Sequence, residues 1–274
     1  MKLAILYTSH RQLRELDHAP AFYERSPLLK NQVDVLFHCN NAAIDESVLR
    51  DKLSKLPVGR MEVRIAPSQN VGGYVYGQYE ALGDLWDHID LSQWDWIVHL
   101  HPDLYLADPV KLLAAIEAAD QANVPLLVSR VFGLGQPAYA TDCFAFKPVP
   151  TMRTIFDGYK PLLATPIRVP TERVFFYEVI RSGLPHLVRD RFTHGHYYRD
   201  IDCWGVWHEH DLRRIEAYLR KPSSRWKYTA INCLGDLRET FTTLTVWAGR
   251  NVKHRPQDSL RAQWTRIEPK RRPA

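Results

Sequence analysis

Cysteine is scarce in this chain, four in 274 residues, and no two lie close together. Cys39, Cys143, Cys203 and Cys233 form no CxxC pair, so the closely spaced ligands of a structural zinc site are missing. Scattered cysteines in a chain of this size fit reduced thiols and a cytoplasmic setting. Long hydrophobic runs are missing as well: no segment approaches the roughly 18 consecutive apolar residues of a membrane span. The opening MKLAILYTSH has a short apolar run with no cleavage-site pattern after it, and is expected to form a first β-strand rather than a secretory leader. The chain contains no GxGxxG fingerprint, no phosphate loop with its Lys-Ser/Thr, and no HExxH. Dinucleotide-dependent, P-loop and zinc-protease chemistries therefore have no motif to stand on. Neither an internal repeat nor a low-complexity linker interrupts the sequence.

Excess charge is confined to one place. The net charge is +5, yet residues 250–274 alone hold eight Lys and Arg against two Asp and Glu, which leaves the remainder close to neutral. With no basic stripe elsewhere, no nucleic-acid partner is expected. The basic tail reads either as a solvated terminus or as a peripheral contact with an anionic membrane surface at the inner face of the membrane.

What the chain does have is a composition suited to a large core, 45% hydrophobic with 24% charged residues, and a regular alternation of elements in its first half. LAILYTS (3–9), VDVLFHC (33–39), MEVRIAPS (61–68), WDWIVHL (94–100) and VPLLVSRV (124–131) read as buried strands. Helices are expected over about 43–55, 74–90 and 108–121, the last opened by Asp108 as N-cap with Pro109 behind it. Later, YATDCFAFKP (139–148) reads as a returning strand. Helices are expected over 172–182, closed by Gly183, and over 211–220 and 235–249, with 190–211 as a polar loop. The expected fold is α/β, a mostly parallel central sheet flanked by helices, with a Rossmann-like nucleotide-binding half. The simplest division is one domain over 1–249, with 1–131 binding nucleotide and 132–249 binding acceptor and sugar, followed by the tail.

In such sheets ligands lie beyond the carboxyl ends of the strands, so polar residues just after strands are the functional candidates. The first strand ends in Thr8 and Ser9, the second in Asn40 and Asn41. The third runs through Asn70 into the glycines Gly72 and Gly73 of NVGGYVYG (70–77), and the fourth ends in His101, Pro102 and Asp103. Glycines before a helix allow close backbone approach to a ligand, and the helix amino end favours anionic groups. They equally suit a turn that packs a helix tightly on a sheet. A carboxylate after a central strand can hold Mg²⁺ or Mn²⁺. A histidine two residues earlier would face the same side of an extended chain, and Pro-Asp is also a common turn pair.

In combination, NVGGYVYG, then WDWIVHLHPDLYLADP (94–109), then YATDCFAFKP resemble bacterial nucleotide-sugar-dependent glycosyltransferases of the GT-A fold over about residues 1–210. The resemblance implies transfer of a sugar from a nucleotide-sugar donor to a hydroxyl of a glycan acceptor, in cell-surface polysaccharide synthesis. It implies donor contacts from Thr8, Ser9, Asn40, Asn70, Gly72, Gly73 and His101. It makes His101-Pro102-Asp103 a variant DxD motif with histidine in place of the first aspartate. Asp103 becomes the metal or diphosphate contact for a divalent cation, Mn²⁺ or Mg²⁺. The late histidines His194, His196 and His208, in THGHYYRD and WGVWHEHD, become further metal or diphosphate candidates. The base that deprotonates the acceptor is sought at Glu178, among apolar neighbours in PTERVFFYEVI, with Glu172 and Asp142 as rivals. Trp204 and Trp207 read as core. Two other readings stay open: a metal-assisted phosphohydrolase, and a non-catalytic nucleotide- or glycan-binding protein of the same fold.

Overall fold

The computed structural model describes residues 1–9, 13–41, 43–66, 77–133, 136–157, 159–160, 175, 178–179, 181–192, 205–208 and 212–220. Five strands fall where hydrophobic runs predict them: β1 (Leu3–Ser9), β2 (Asp34–Cys39), β3 (Met61–Ile65), β4 (Trp96–Leu100) and β6 (Leu126–Gly133). Between them lie α1 (Ala19–Glu24), α2 (Glu46–Ser54), α3 (Gly77–His88) and α4 (Pro109–Gln121). β7 (Gln136–Phe146) returns directly from β6, followed by a short α5 (Pro148–Thr151) and a π-helical turn, Met152–Phe156. The described residues Phe175, Glu178, Val179, Arg181 and Ser182 are helical, and Gly183 follows with φ 67°, the left-handed conformation expected of a glycine ending a helix. β8 (His186–Phe192) and a last helix, α6 (Leu212–Arg220), complete the main elements.

The sheet has seven strands in the order β3-β2-β1-β4-β7-β6-β8. The pairs β1–β2, β1–β4, β2–β3 and β6–β8 are parallel, whereas β7 runs antiparallel to both β4 and β6. Six strands thus point one way. The architecture is α/β with a mostly parallel sheet. Side-chain alternation divides the core into two faces. Leu3, Ile5, Tyr7, Val35, Phe37, Trp96 and Val98 pack with Tyr23 of α1, Leu49 and Leu53 of α2, and Leu112, Ile116 and Ala119 of α4. Ala4, Leu6, Leu36, Ile97, Phe144 and Phe146 pack against Tyr79, Leu82 and Leu85 of α3, the π-helical turn, and Phe175 and Val179. Gly83 lets the ring of Tyr159 lie against α3, because a Cβ there would overlap it.

Three local expectations are corrected. Residues 190–211 are not one loop: β8 extends to Phe192, and Val206–His208 form β9, which pairs antiparallel with a short β5 (Leu104–Leu106) in a separate two-stranded sheet. Period-two apolar patterning is too brief in three residues to announce a strand, and the pairing is non-local. Asp108 stands at the N-cap of α4 with Pro109 at the first helical position, but its side chain makes no capping bond. Its backbone N–H instead donates to Gly205 O at 2.9 Å, tying α4 to β9, while its carboxylate lies 3.6 Å from Lys111. The third correction concerns α2, which begins at Glu46 because Asp45 caps it, accepting from the N–H groups of Ser47 and Val48 at 2.9 and 3.3 Å. The helix expected over 235–249 lies outside the described residues. Among the described residues no helix is long and apolar enough to cross a membrane.

Candidate functional site at the carboxyl edge of the sheet

Because β1 to β4 are mutually parallel, their carboxyl ends meet along one edge. Ser9 pairs in register with Cys39, and Cys39 with Ile65; the N–H of Asn40 donates to Ser9 O at 3.3 Å. Thr8, Ser9 and Asn40 are all buried there. The amino end of α3 reaches the same corner, since a Cβ on Gly77 would stand 3.9 Å from Asn40 Nδ2. The next residue, Gln78, places Nε2 3.4 Å from Nδ1 of His99, and Nε2 of His99 lies 2.8 Å from Thr8 Oγ1. His99 is fully buried in β4, its ring stacked on Phe144 at 4.6 Å and met edge-on by His101 at 5.4 Å. One imidazole thus joins the end of β1, the start of α3, the antiparallel strand β7 and the motif that follows β4.

That motif is a turn. The N–H of Leu104 donates to His101 O at 2.9 Å, with Pro102 and Asp103 in the two central positions. The extended geometry expected from His101 to Asp103 is therefore replaced by a reversal, which proline favours by fixing φ. Asp103 is nonetheless 3% exposed, so the turn folds its carboxylate inward instead of offering it to solvent. The turn position that Pro-Asp suggests in the sequence is thus occupied by a buried carboxylate. The strand that leaves the turn, β5, is anchored from several sides. Tyr105 stacks on Phe22 at 4.8 Å and donates its hydroxyl to Glu15 O at 3.1 Å. Trp207 packs with Phe22, Tyr105 and Tyr218, as expected of a core residue. Glu15 is a buried carboxylate that sequence reasoning did not single out; Arg14 Nε donates to it at 2.8 Å.

A second polar group lies on the same face of the sheet, one strand further out. Asp84 of α3 receives the guanidinium of Arg64 on both carboxylate oxygens, Nε to Oδ2 and Nη2 to Oδ1, the latter at 2.7 Å. His38 Nε2 lies 3.0 Å from Oδ2, and His88 Nδ1 lies 3.2 Å from Oδ1. Burial pushes the Asp84 carboxyl up, but hydrogen bonds from Arg64 and His38 and their charges more than offset it. Its pKa ends well below the usual carboxylate range. This network pins the middle of α3 to β2 and β3, and so sets where Gly77 and Gln78 begin.

Several expected residues are brought together here and others are not. Thr8, Ser9, Asn40, His101 and Asp103 share the carboxyl edge. Glu178 is 1% exposed and carries an ion pair with Arg181 at 2.7 Å. One helical turn before it, Phe175 packs at a tilt on Phe144, ring centroids 4.4 Å apart, the same ring that stacks on His99. Asp142 belongs to β7, and His208 to β9, with side chains outside those described. Asn70, Gly72, Gly73, Glu172, His194, His196 and Trp204 lie outside the described residues. Among the described residues no group of three or more His, Cys, Asp or Glu side chains could hold a metal ion. Of the expected cation set, Asp103, His194, His196 and His208, Asp103 is thus the one whose side chain is described, and a lone carboxylate does not make a site by itself. Sequence reading missed His99, Gln78, His38 and Asp84, and of these the two histidines carried a signal. His38 and His99 are histidines inside otherwise apolar strands, at the alternation phase that faces α3.

No family model and no curated protein matches the chain. Solved structures do resemble it at low sequence identity. The mannosyltransferase PcManGT from Pyrobaculum calidifontis, in complex with GDP-Man and Mn²⁺, is 12% identical, with a TM-score of 0.48 over 97% of this chain and 84% of that one. A protein from Desulfovibrio desulfuricans G20 named as a nucleotide-diphospho-sugar transferase is 13% identical, with a TM-score of 0.41 over 70% of this chain and 81% of that one. Residues 1–349 of TarS from S. aureus are 9% identical, with a TM-score of 0.45 over 69% of this chain; the match spans 58% of that one.

Proposed function

We propose that the chain is a nucleotide-sugar-dependent glycosyltransferase. The single observation that carries this reading is the convergence of Thr8, Ser9, Asn40 and the His101–Asp103 turn on the carboxyl edge of four parallel strands, beside the amino end of α3. That edge is where open α/β sheets bind ligands. In this reading the edge holds the donor nucleotide, with Asn70, Gly72 and Gly73 adding backbone contacts from the segment before α3. Buried hydroxyl and amide groups orient the nucleoside, and His101 lies against it.

The Asp103 carboxylate is an acceptor for donor hydroxyls, or the hard oxygen ligand of a divalent cation with His194 and His196. Such a cation would neutralise charge on the departing diphosphate; no step assigned to the residues here depends on it. Transfer needs a base that takes the proton of the acceptor hydroxyl as the new glycosidic bond forms. Glu178 and Asp142 are the two candidates. Glu178 is held by Arg181 in the free protein, which orients its carboxylate. The acceptor is a glycan, and the basic tail is the part that would meet an anionic membrane.

Calorimetry with a panel of nucleoside diphosphates and nucleotide sugars, including UDP-GlcNAc and GDP-mannose, with and without Mn²⁺, tests the reading. Binding of one nucleotide class, followed by transfer to a glycan, is the expected result. Absence of binding across the panel would end it. The histidine at position 101, where the resemblance has aspartate, favours one alternative: a binding protein of the same fold that takes up nucleotide but never turns over.

A further inference from the structure

The contacts around His99 constrain more than its position. A neutral imidazole has one donor nitrogen and one acceptor nitrogen, and the partner of one fixes the role of the other. Gln78 presents Nε2, a donor, to Nδ1 at 3.4 Å. With the Gln78 amide in this orientation, which leaves its Oε1 buried without a hydrogen bond among the described residues, Nδ1 accepts and the ring proton belongs on Nε2, 2.8 Å from Thr8 Oγ1. Ring rotation is blocked by Phe144 stacked on one side and His101 on the edge. With one of its two lone pairs taken by the incoming N–H, the Thr8 hydroxyl cannot give its own proton back to the ring and has that O–H to turn toward the edge. Thr8 is the penultimate residue of β1 and makes no other side-chain hydrogen bond among the described residues.

We propose that His99 is a positioning residue of the site, locked by Gln78 in the Nε2–H tautomer so that the Thr8 hydroxyl is presented to the ligand as a hydrogen-bond donor. The inference rests on the reading that a nucleotide lies at this edge. It adds that the O–H of Thr8 is given to an acceptor on the ligand, a carbonyl, ether or phosphoryl oxygen. It also explains why a buried histidine belongs in a central strand. Serine or threonine alone would rotate freely between donor and acceptor roles. The chain Gln78–His99–Thr8 makes the start of α3 part of that choice, so a shift of α3 alters what β1 offers.

Two measurements test this. Nitrogen NMR of histidine-labelled protein, with His99 assigned by difference from His99→Phe, should show a proton on Nε2 and none on Nδ1, and Gln78→Leu should let both tautomers appear. A proton on Nδ1 in the unmutated protein overturns the proposal. The second measurement is the Kd of whichever nucleoside diphosphate the calorimetric panel finds. His99→Phe keeps the stack on Phe144 but removes the hydrogen bonds to Gln78 and Thr8. It and Thr8→Val should each weaken binding about tenfold, the effect of one hydrogen bond, and the double variant should be no weaker than either single. Thr8→Ser, which keeps the hydroxyl, should bind like the unmutated protein. Losses that multiply, or a normal Kd for His99→Phe beside a weakened Thr8→Val, overturn the proposal. A protein that binds no nucleotide ends the functional reading instead, and leaves the tautomer measurement to decide the assignment of the ring.

Discussion

The two faces of the central sheet are built from the same strands and solve different problems. Toward α1, α2 and α4 the face is hydrocarbon, with Ile5, Val35, Phe37, Trp96 and Val98 in continuous contact and the Tyr7–Tyr23 hydroxyl pair, 3.1 Å apart, as an inset between β1 and α1. Toward α3, apolar residues of the same strands share the surface with Arg64, His38, Thr8 and His99, met from above by Asp84 and Gln78. Hydrophobic burial is non-directional and roughly proportional to area, so the first face fixes that α1, α2 and α4 dock but discriminates weakly among small shifts. Hydrogen bonds have lengths and angles, and leaving a buried partner unsatisfied costs about 1–3 kcal/mol, so the second face fixes where α3 starts. The candidate site lies at the end of the face whose geometry is specified in that way.

The comparison can be broken at four points. The largest expected effect is on transfer. Asp103→Ala should lower the rate on the order of 10²–10³-fold, as when one preorganised polar group is removed from a site, with the thermal midpoint little changed. An active Asp103→Ala enzyme would detach the edge from catalysis. On the hydrocarbon face, Ile5→Ala should cost about 3 kcal/mol of unfolding free energy in urea titrations, by the same amount at every pH from 4 to 8.

On the polar face, Asp84→Ala should cost less, about 2 kcal/mol near neutral pH, through the uncompensated guanidinium of Arg64. That loss should depend on pH. The folded carboxyl titrates well below its unfolded value, so its stabilisation is complete above the unfolded pKa of about 3.9 and drains as pH falls below it. Wild type and Asp84→Ala stabilities should converge in acid, and parallel curves would contradict the assignment. The smallest effect belongs to Tyr7→Phe, about 1 kcal/mol. Burial, eased only in part by the hydrogen bond with Tyr23, pushes the Tyr7 hydroxyl up to about 12. A raised acid stabilises the fold below the unfolded pKa of about 10 and loses that contribution as pH climbs toward the folded value. Tyr7→Phe should therefore make the alkaline decline shallower. It should not abolish it, because Tyr159 on the other face is likewise raised to about 12, by burial and by Asp87.

The five strands β1, β2, β3, β4 and β6 and the helices α2, α3 and α4 were legible because each strand is a compact apolar run and each of these helices an amphipathic stretch, whereas the short α1 was not among the expected helices. The antiparallel insertion of β7 between β4 and β6 was not legible, since YATDCFAF reads as a strand without revealing its neighbours. Nor was the β5–β9 sheet, formed by two three-residue segments from distant parts of the chain. At the candidate site, the placement of Thr8, Ser9, Asn40 and Asp103 along one edge was legible by a positional rule that needs only the strand ends. His99 and His38 were present in runs already counted as strands, and only the alternation phase distinguishes them from core. Asp84 reads as an ordinary surface acid on a helix. Its partners come from β2 and β3, so its role exists only once the sheet is assembled.

The pairing of β5 with β9 carries a kinetic consequence. Strand β5 leaves the His101–Asp103 turn, and its partner arrives roughly one hundred residues later. During synthesis the sheet's first four strands can associate while that partner is still unmade, so the turn holding Asp103 completes late. Closing so long a loop is entropically slow, and contacts of large sequence separation tend to form last. A nascent chain of 150 residues would contain every described edge residue in sequence and still lack the strand that seats its aspartate.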